Sequence, residues 1–196
     1  MSKKIITISR ELGSGGRSVG KAVAERLGYA YYDKELVETV AAKTGLEGGY
    51  IDEQVEAAPA SRFQESVQSF GRPGGVPDGD RLWAIQRRVM LDLAEKGPCV
   101  IVGRCSDFIF RDRADTLRVF VFADKEYRAA RAVERYGVAE GEVEKVLANA
   151  DKTRAANYKH FTGQDWGRAQ NYDCCLNAGR LGEENCIDYI LQLAQK

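Results

Sequence analysis

A short β-branched run, Ile5-Ile6-Thr7-Ile8-Ser9, leads into Arg10-Glu11-Leu12-Gly13-Ser14-Gly15-Gly16-Arg17-Ser18, after which Val19, Val23 and Leu27 recur at four-residue spacing. Strand, glycine-rich turn and helix in this order constrain the fold more than any other feature of the chain. Glycines let the main chain approach an anion closely, and the N–H groups of a first helical turn point at it. Gly13, Ser14, Gly15, Gly16, Arg17 and Ser18 are therefore the candidate phosphate cradle. Against the pattern G-x-x-x-x-G-K-[ST], alignment on Gly16-Arg17-Ser18 puts Glu11 at the leading glycine and Arg17 at the lysine. Arginine there replaces a compact point charge with a planar fork of donors. The Ser18 hydroxyl is a candidate Mg²⁺ ligand. A turn that only reverses the chain is the alternative.

The rest of the chain repeats the alternation. Residues 4–9, Tyr29 to Asp33, Cys99 to Val102, Leu117 to Phe122 and Tyr172 to Asn177 read as five strands separated by helical segments. That order implies a mainly parallel sheet with helices on both faces. Gly28 ends the first helix. Asp33 and Asp80 are expected to cap the next two, the second with a Leu82, Ile85, Val89, Leu93 stripe and a stop at Gly97-Pro98. Asp124 and Gly137 bound another, and a final helix covers about Glu183 to Ala194. Residues 57–80 hold three of the four prolines and are read as a mobile insertion.

Lys+Arg and Asp+Glu both total 29, which argues against a dedicated nucleic-acid binder. No apolar run reaches the length of a bilayer span, and no signal-peptide region is visible, so no membrane partner is expected. Cys99, Cys105, Cys174, Cys175 and Cys186 form no Cys-x-x-Cys pair. Reduced thiols and a cytoplasmic location are expected, with Cys99, Cys174 and Cys175 as small buried hydrophobes. The one histidine, His160, is read as a surface or packing residue.

Phosphoryl transfer needs positive groups around crowded oxygens. Arg128, Arg131 and Arg135 lie near one helical face; Asp151 and Arg154 follow on the next helix, with Tyr158 a turn later. They form either a phosphate clamp or a solvated ion-paired surface. Arg104 follows the buried strand 99–102, at the strand end where open parallel sheets bind ligands, with an ion pair to Asp107 or Asp112 as its alternative. Asp33 holds the equivalent place after the second strand.

Four segments together resemble the cytidylate kinase-like family of nucleoside monophosphate kinases: Ile8 to Arg17, Tyr31 to Leu36, Val100 to Asp107, and Asp151 to Gly167 with Arg154, Tyr158, Thr162 and Trp166. The resemblance implies an α/β P-loop kinase fold, a three-layer sandwich with a five-stranded parallel sheet, as a single domain over 1–196. It implies that 57–80 belongs to the monophosphate-side lobe and that 138–167 forms a short lid. It also implies ATP on the Gly13–Ser18 loop with Mg²⁺, and a catalytic set of Arg17, Arg104, Arg128, Arg131, Asp151 and Arg154. Arg10, Asp33, Arg104, Asp107, Asp151 and Arg154 are placed on the acceptor side. The expected reaction is ATP-dependent phosphorylation of a nucleoside monophosphate, CMP or dCMP first. A kinase for another phosphorylated metabolite or small molecule, or a nucleotide sensor without turnover, are the alternatives. Oligomeric state is not readable from the chain.

Overall fold

A computed structural model describes residues 2–33 and 78–195. The expected helix after Asp33 and the segment 57–77 lie outside the described residues. The strands are β1 (Ile5–Arg10), β2 (Ala30–Tyr32), β3 (Cys99–Val102), β4 (Thr116–Phe122) and β5 (Cys174–Asn177). The described helices are α1 (Gly16–Leu27), α2 (Asp78–Glu95), α3 (Ser106–Ile109), α4 (Lys125–Tyr136), α5 (Val143–Thr162), α6 (Ala178–Leu181) and α7 (Glu183–Ala194).

The five strands form one parallel sheet in the order β2-β3-β1-β4-β5. β1 lies at its centre, with Ile5 in register with both Cys99 and Thr116. Strands with helices on both faces must be apolar on both, which explains the unbroken runs. Ile6, Ile8, Val100, Val102, Val119 and Val121 pack on Val19 and Val23 of α1 and Ile187 and Ile190 of α7. On the other face Ile5, Cys99 and Ile101 meet Val89, Met90 and Leu93 of α2 together with Phe110. Each such side chain contributes about 1.5–3 kcal/mol when fully buried. A smaller cluster of Ala132, Val143 and Leu147 joins α4 to α5.

Gly28 and Gly137 end α1 and α4 in the left-handed conformation, as their positions predict. Three details differ. α2 begins at Asp78, so Asp80 lies inside its first turn rather than ahead of it. Cys175 is exposed on the edge strand β5, while Cys174 is half-buried. Asp124 does precede α4, but its carboxylate makes no cap bond; it accepts from Arg180 Nε and Asn177 Nδ2 instead. No helix among the described residues is long and apolar enough to cross a membrane.

Candidate functional site

The parallel strands all point their carboxyl ends the same way, and the candidate residues gather there: Arg10 ends β1, Asp33 follows β2, Gly103-Arg104 follow β3, and Ala123-Asp124 follow β4. Between β1 and α1 the chain turns through Gly13 (φ +80°) and Gly15 (φ +87°). A Cβ on Gly13 would come within 2.6 Å of the Arg128 carbonyl oxygen, so α4 also presses directly on the turn. The first main-chain bond of α1 runs from Val19 N–H to the Gly15 carbonyl (3.0 Å), leaving the amides of Gly16 to Ser18 ahead of the helical ladder. No side chain caps this terminus, and its first turn carries no acidic residue. The N-terminus of a twelve-residue helix favours negative charge. The Ser14 hydroxyl is turned inward, within 3.0 Å of the carbonyls of Glu11 and Val121, so it shapes the loop from inside.

Arg128 is the centre of the scaffold behind the loop. Its Nε donates to the Leu12 carbonyl (2.7 Å), Nη1 pairs with Glu11 (3.2 Å) and Nη2 pairs with Asp151 of α5. Asp151 in turn accepts the Leu12 N–H (3.3 Å) and lies 3.7 Å from Arg154 Nη1. Glu11 also accepts the N–H of Ala123 at the end of β4 (3.2 Å). Burial raises the Glu11 pKa, and the Arg128 guanidinium opposes that rise. Arg128, expected to be catalytic, is thus buried and engaged by two carboxylates and a carbonyl, holding the loop. Glu11, read in the sequence only as a missing glycine, is the hinge pin of this network.

Arg131 lies one turn further along α4. It donates from Nη2 to Ser18 Oγ (2.8 Å) and pairs through Nη1 with Glu183 (2.6 Å). Ser18 therefore faces a guanidinium, an arrangement that does not suit a Mg²⁺ ligand. Among the described residues no group of three or more His, Cys, Asp or Glu side chains gathers to hold a metal. Glu183 also abuts Gly15, where a Cβ would sit 2.8 Å from its carboxylate; no local signal marks it in the sequence. Arg135, the third arginine of that row, is exposed.

Arg17 reaches the other way: its Nε pairs with Asp33, which is 6% exposed. It joins the start of α1 to the end of β2. Beside it burial, with the Asp33 charge, pushes the Tyr31 hydroxyl up to about 12. Arg104 (φ 59°) and Cys105 (φ 51°) both adopt the left-handed conformation after Gly103. Two consecutive non-glycine residues there cost about 1–2 kcal/mol each and set Arg104 on a strained turn above β3.

Asp107, expected on the acceptor side, is placed elsewhere. It is 1% exposed, and its two oxygens accept from Ser9 Oγ (3.0 Å) and the Tyr158 hydroxyl (2.6 Å). It fastens α5 to β1 from within the protein and has no surface to offer a ligand.

The sequence pattern of the cytidylate kinase-like family matches residues 5–180. The chain belongs to that family. It is 29% identical to the cytidylate kinase of Archaeoglobus fulgidus over 193 residues, covering 97% of this chain and 94% of the relative. An uncharacterized protein from Eubacterium ventriosum shares 26% identity and superposes with a TM-score of 0.74, over 97% of each chain. Shikimate kinase from Acinetobacter baumannii, solved with shikimate, is 17% identical with a TM-score of 0.54, covering 96% of this chain and 91% of that one. This last likeness speaks for the fold, an α/β kinase architecture around a five-stranded parallel sheet. Family and fold together support a nucleotide-binding kinase.

Proposed function

We propose that this family member transfers the γ-phosphoryl group of Mg²⁺–ATP to a nucleoside monophosphate, with CMP and dCMP as the first candidates. One observation supports this above all: a helix N-terminus with no side-chain cap and no acidic residue in its own first turn lies at the same end of the sheet as Arg10, Arg104, Arg131 and Arg154, with the nearby Glu183 carboxylate paired to Arg131. The metal travels with the triphosphate as part of the substrate.

In this reading the triphosphate lies on the amides that open α1, and Arg104 meets the acceptor phosphate from the end of β3. An acceptor oxygen forms its bond to the γ-phosphorus while the bond to the β–γ bridging oxygen breaks, and that electron pair leaves on ADP. The acceptor phosphate is already anionic at neutral pH, so no side chain need remove a proton. Arg154 spreads the charge of the transferred group, and Asp151 orients Arg154. Arg128 is a positioning residue that keeps the loop in shape. Residues 138–167 act as the lid of a single domain, and their closure excludes water that would otherwise take the phosphoryl group.

A panel of nucleoside monophosphates and other phosphorylated small molecules, incubated with Mg²⁺–ATP and scored for both products, tests the reading. Diphosphate from CMP or dCMP at the highest rate is the expected result. Product from a non-nucleotide acceptor alone overturns the acceptor assignment. Tight ATP binding with no ADP from any acceptor makes the chain a sensor.

A further inference from the structure

The phosphate-loop pattern can be laid on the backbone as well as on the letters. α1 begins at Gly16, and the residue that turns the chain into it in left-handed conformation is Gly15. With the second glycine of G-x-x-x-x-G-K-[ST] set on Gly15, the leading glycine falls on Arg10, the lysine on Gly16 and the hydroxyl position on Arg17. This register lies one residue ahead of the alignment on Gly16-Arg17-Ser18, and it changes the meaning of the loop. The lysine position has no side chain, and the position that ordinarily has none carries an arginine.

The exchange has a steric basis. A Cβ on Gly16 would sit 2.5 Å from Arg10 Cβ, 3.1 Å from Arg10 Cγ and 3.3 Å from Val121 Cβ. The stem of Arg10 fills the space that the first carbons of a lysine would need. Arg10 closes β1 in register with Val121 and is half-buried. Its guanidinium lies on the main chain of Gly103 (φ +79°), where an added Cβ would overlap Nη1. The cation therefore sits over the ends of β1 and β3, between the first turn of α1 and the strained turn that carries Arg104.

We infer that Arg10 brings to the β- and γ-phosphates the positive charge that the lysine brings in the common loop, which makes it a catalytic residue of this chain. The inference rests on the kinase reading above. The common lysine reaches the β- and γ-phosphates from the helix. Arg10 reaches the same region from the strand, and its fork can hold an oxygen of the transferred group and the bridging oxygen together as the bond between them breaks. Arg17 pairs with Asp33.

The test uses Arg10→Met, which keeps a stem against Gly16 and removes the charge, and Arg10→Gly with and without Gly16→Lys, which puts back the leading glycine and the lysine of the common pattern while Arg17 stays at the hydroxyl position. Arg10→Met is expected to lower kcat with CMP about 100-fold and weaken Mg²⁺–ATP binding by titration calorimetry about 10-fold, with the melting temperature held. The double variant Arg10→Gly/Gly16→Lys is expected to exceed Arg10→Gly about 10-fold in both readouts. A folded Arg10→Met within about threefold of the parent in both readouts overturns the inference, as does a folded double variant no better than Arg10→Gly. If the parent phosphorylates no monophosphate, the kinase reading fails on its own. Arg10 is then judged on Mg²⁺–ATP affinity, where the same loss and rescue uphold its contact with the phosphates and their absence refutes it.

Discussion

Tyr158, on the buried side of α5, donates its phenolic hydrogen to the Asp107 carboxylate at 2.6 Å, 51 residues away in the chain. The same carboxylate takes the Ser9 hydroxyl from β1. One acid thus bolts a long helix to the central strand, immediately beneath the candidate site.

Tyr158→Phe removes the bolt and keeps the ring. A hydrogen bond to a charged group contributes about 1.5–3 kcal/mol, and a buried carboxylate left with one donor bears most of that loss. Urea unfolding is expected to report a destabilisation in this range with an unchanged slope. A loss below about 0.5 kcal/mol would show that the bond carries no net stability.

Asp107 also gives stability a pH dependence. Its burial raises the pKa above the usual aspartate range, and the Tyr158 and Ser9 hydroxyls only partly counter this. Between the ordinary aspartate pKa and the raised one, the folded protein holds a proton that the unfolded chain has released. This group's contribution is therefore fully present at the acid end and is lost as pH rises through the raised pKa. Asp107→Asn cannot titrate. The melting temperature of the parent minus that of Asp107→Asn is expected to fall as pH is raised from about 4 to 8; a difference that stays flat or rises would refute the assignment.

Arg128→Met and Arg135→Met differ by seven positions and are expected to differ sharply in effect. The first strands Glu11 and Asp151 beside each other and frees the Leu12 carbonyl, a loss of about 3 kcal/mol for a broken, mostly buried pair. The second touches an exposed side chain and should stay within about 0.5 kcal/mol. Chemical denaturation of both variants measures this, and equal losses would remove Arg128 from its place as organiser of the loop.

Arg154→Ala bears on the reaction. Under the proposed function it should lower turnover about 100-fold, a loss of about 3 kcal/mol of barrier stabilisation, with little change in melting temperature. Coupled assay of ADP release reads it. Turnover near that of the parent would take Arg154 out of the chemistry.

The sheet was legible in the sequence because its inner strands β1, β3 and β4 are buried on both faces and read as mostly apolar runs, Cys99-Val100-Ile101-Val102 most plainly. The helix stops at Gly28 and Gly137 were legible because the left-handed conformation strongly favours glycine. The division of labour among the charged residues was not. Arg128 and Arg135 share a helical face, but the amino end of α4 rests on the loop while its other end runs into solvent. Nothing within a few residues of Asp107 announces that Ser9 and Tyr158 will converge on it. That Gly16 and the Arg10 stem share one volume is likewise something spacing alone does not reveal.

Leu12 has its N–H held by Asp151 of α5 and its carbonyl held by Arg128 of α4. Under the proposed function, a substrate that tilts α5 pulls on the peptide that shapes the phosphate loop. Linkage makes the influence mutual: whatever factor the first ligand applies to the affinity of the second, the second returns to the first. Occupancy at one half of the crevice then bears on the other through the Leu12 main chain together with the Glu11–Arg128–Asp151 pairs beside it.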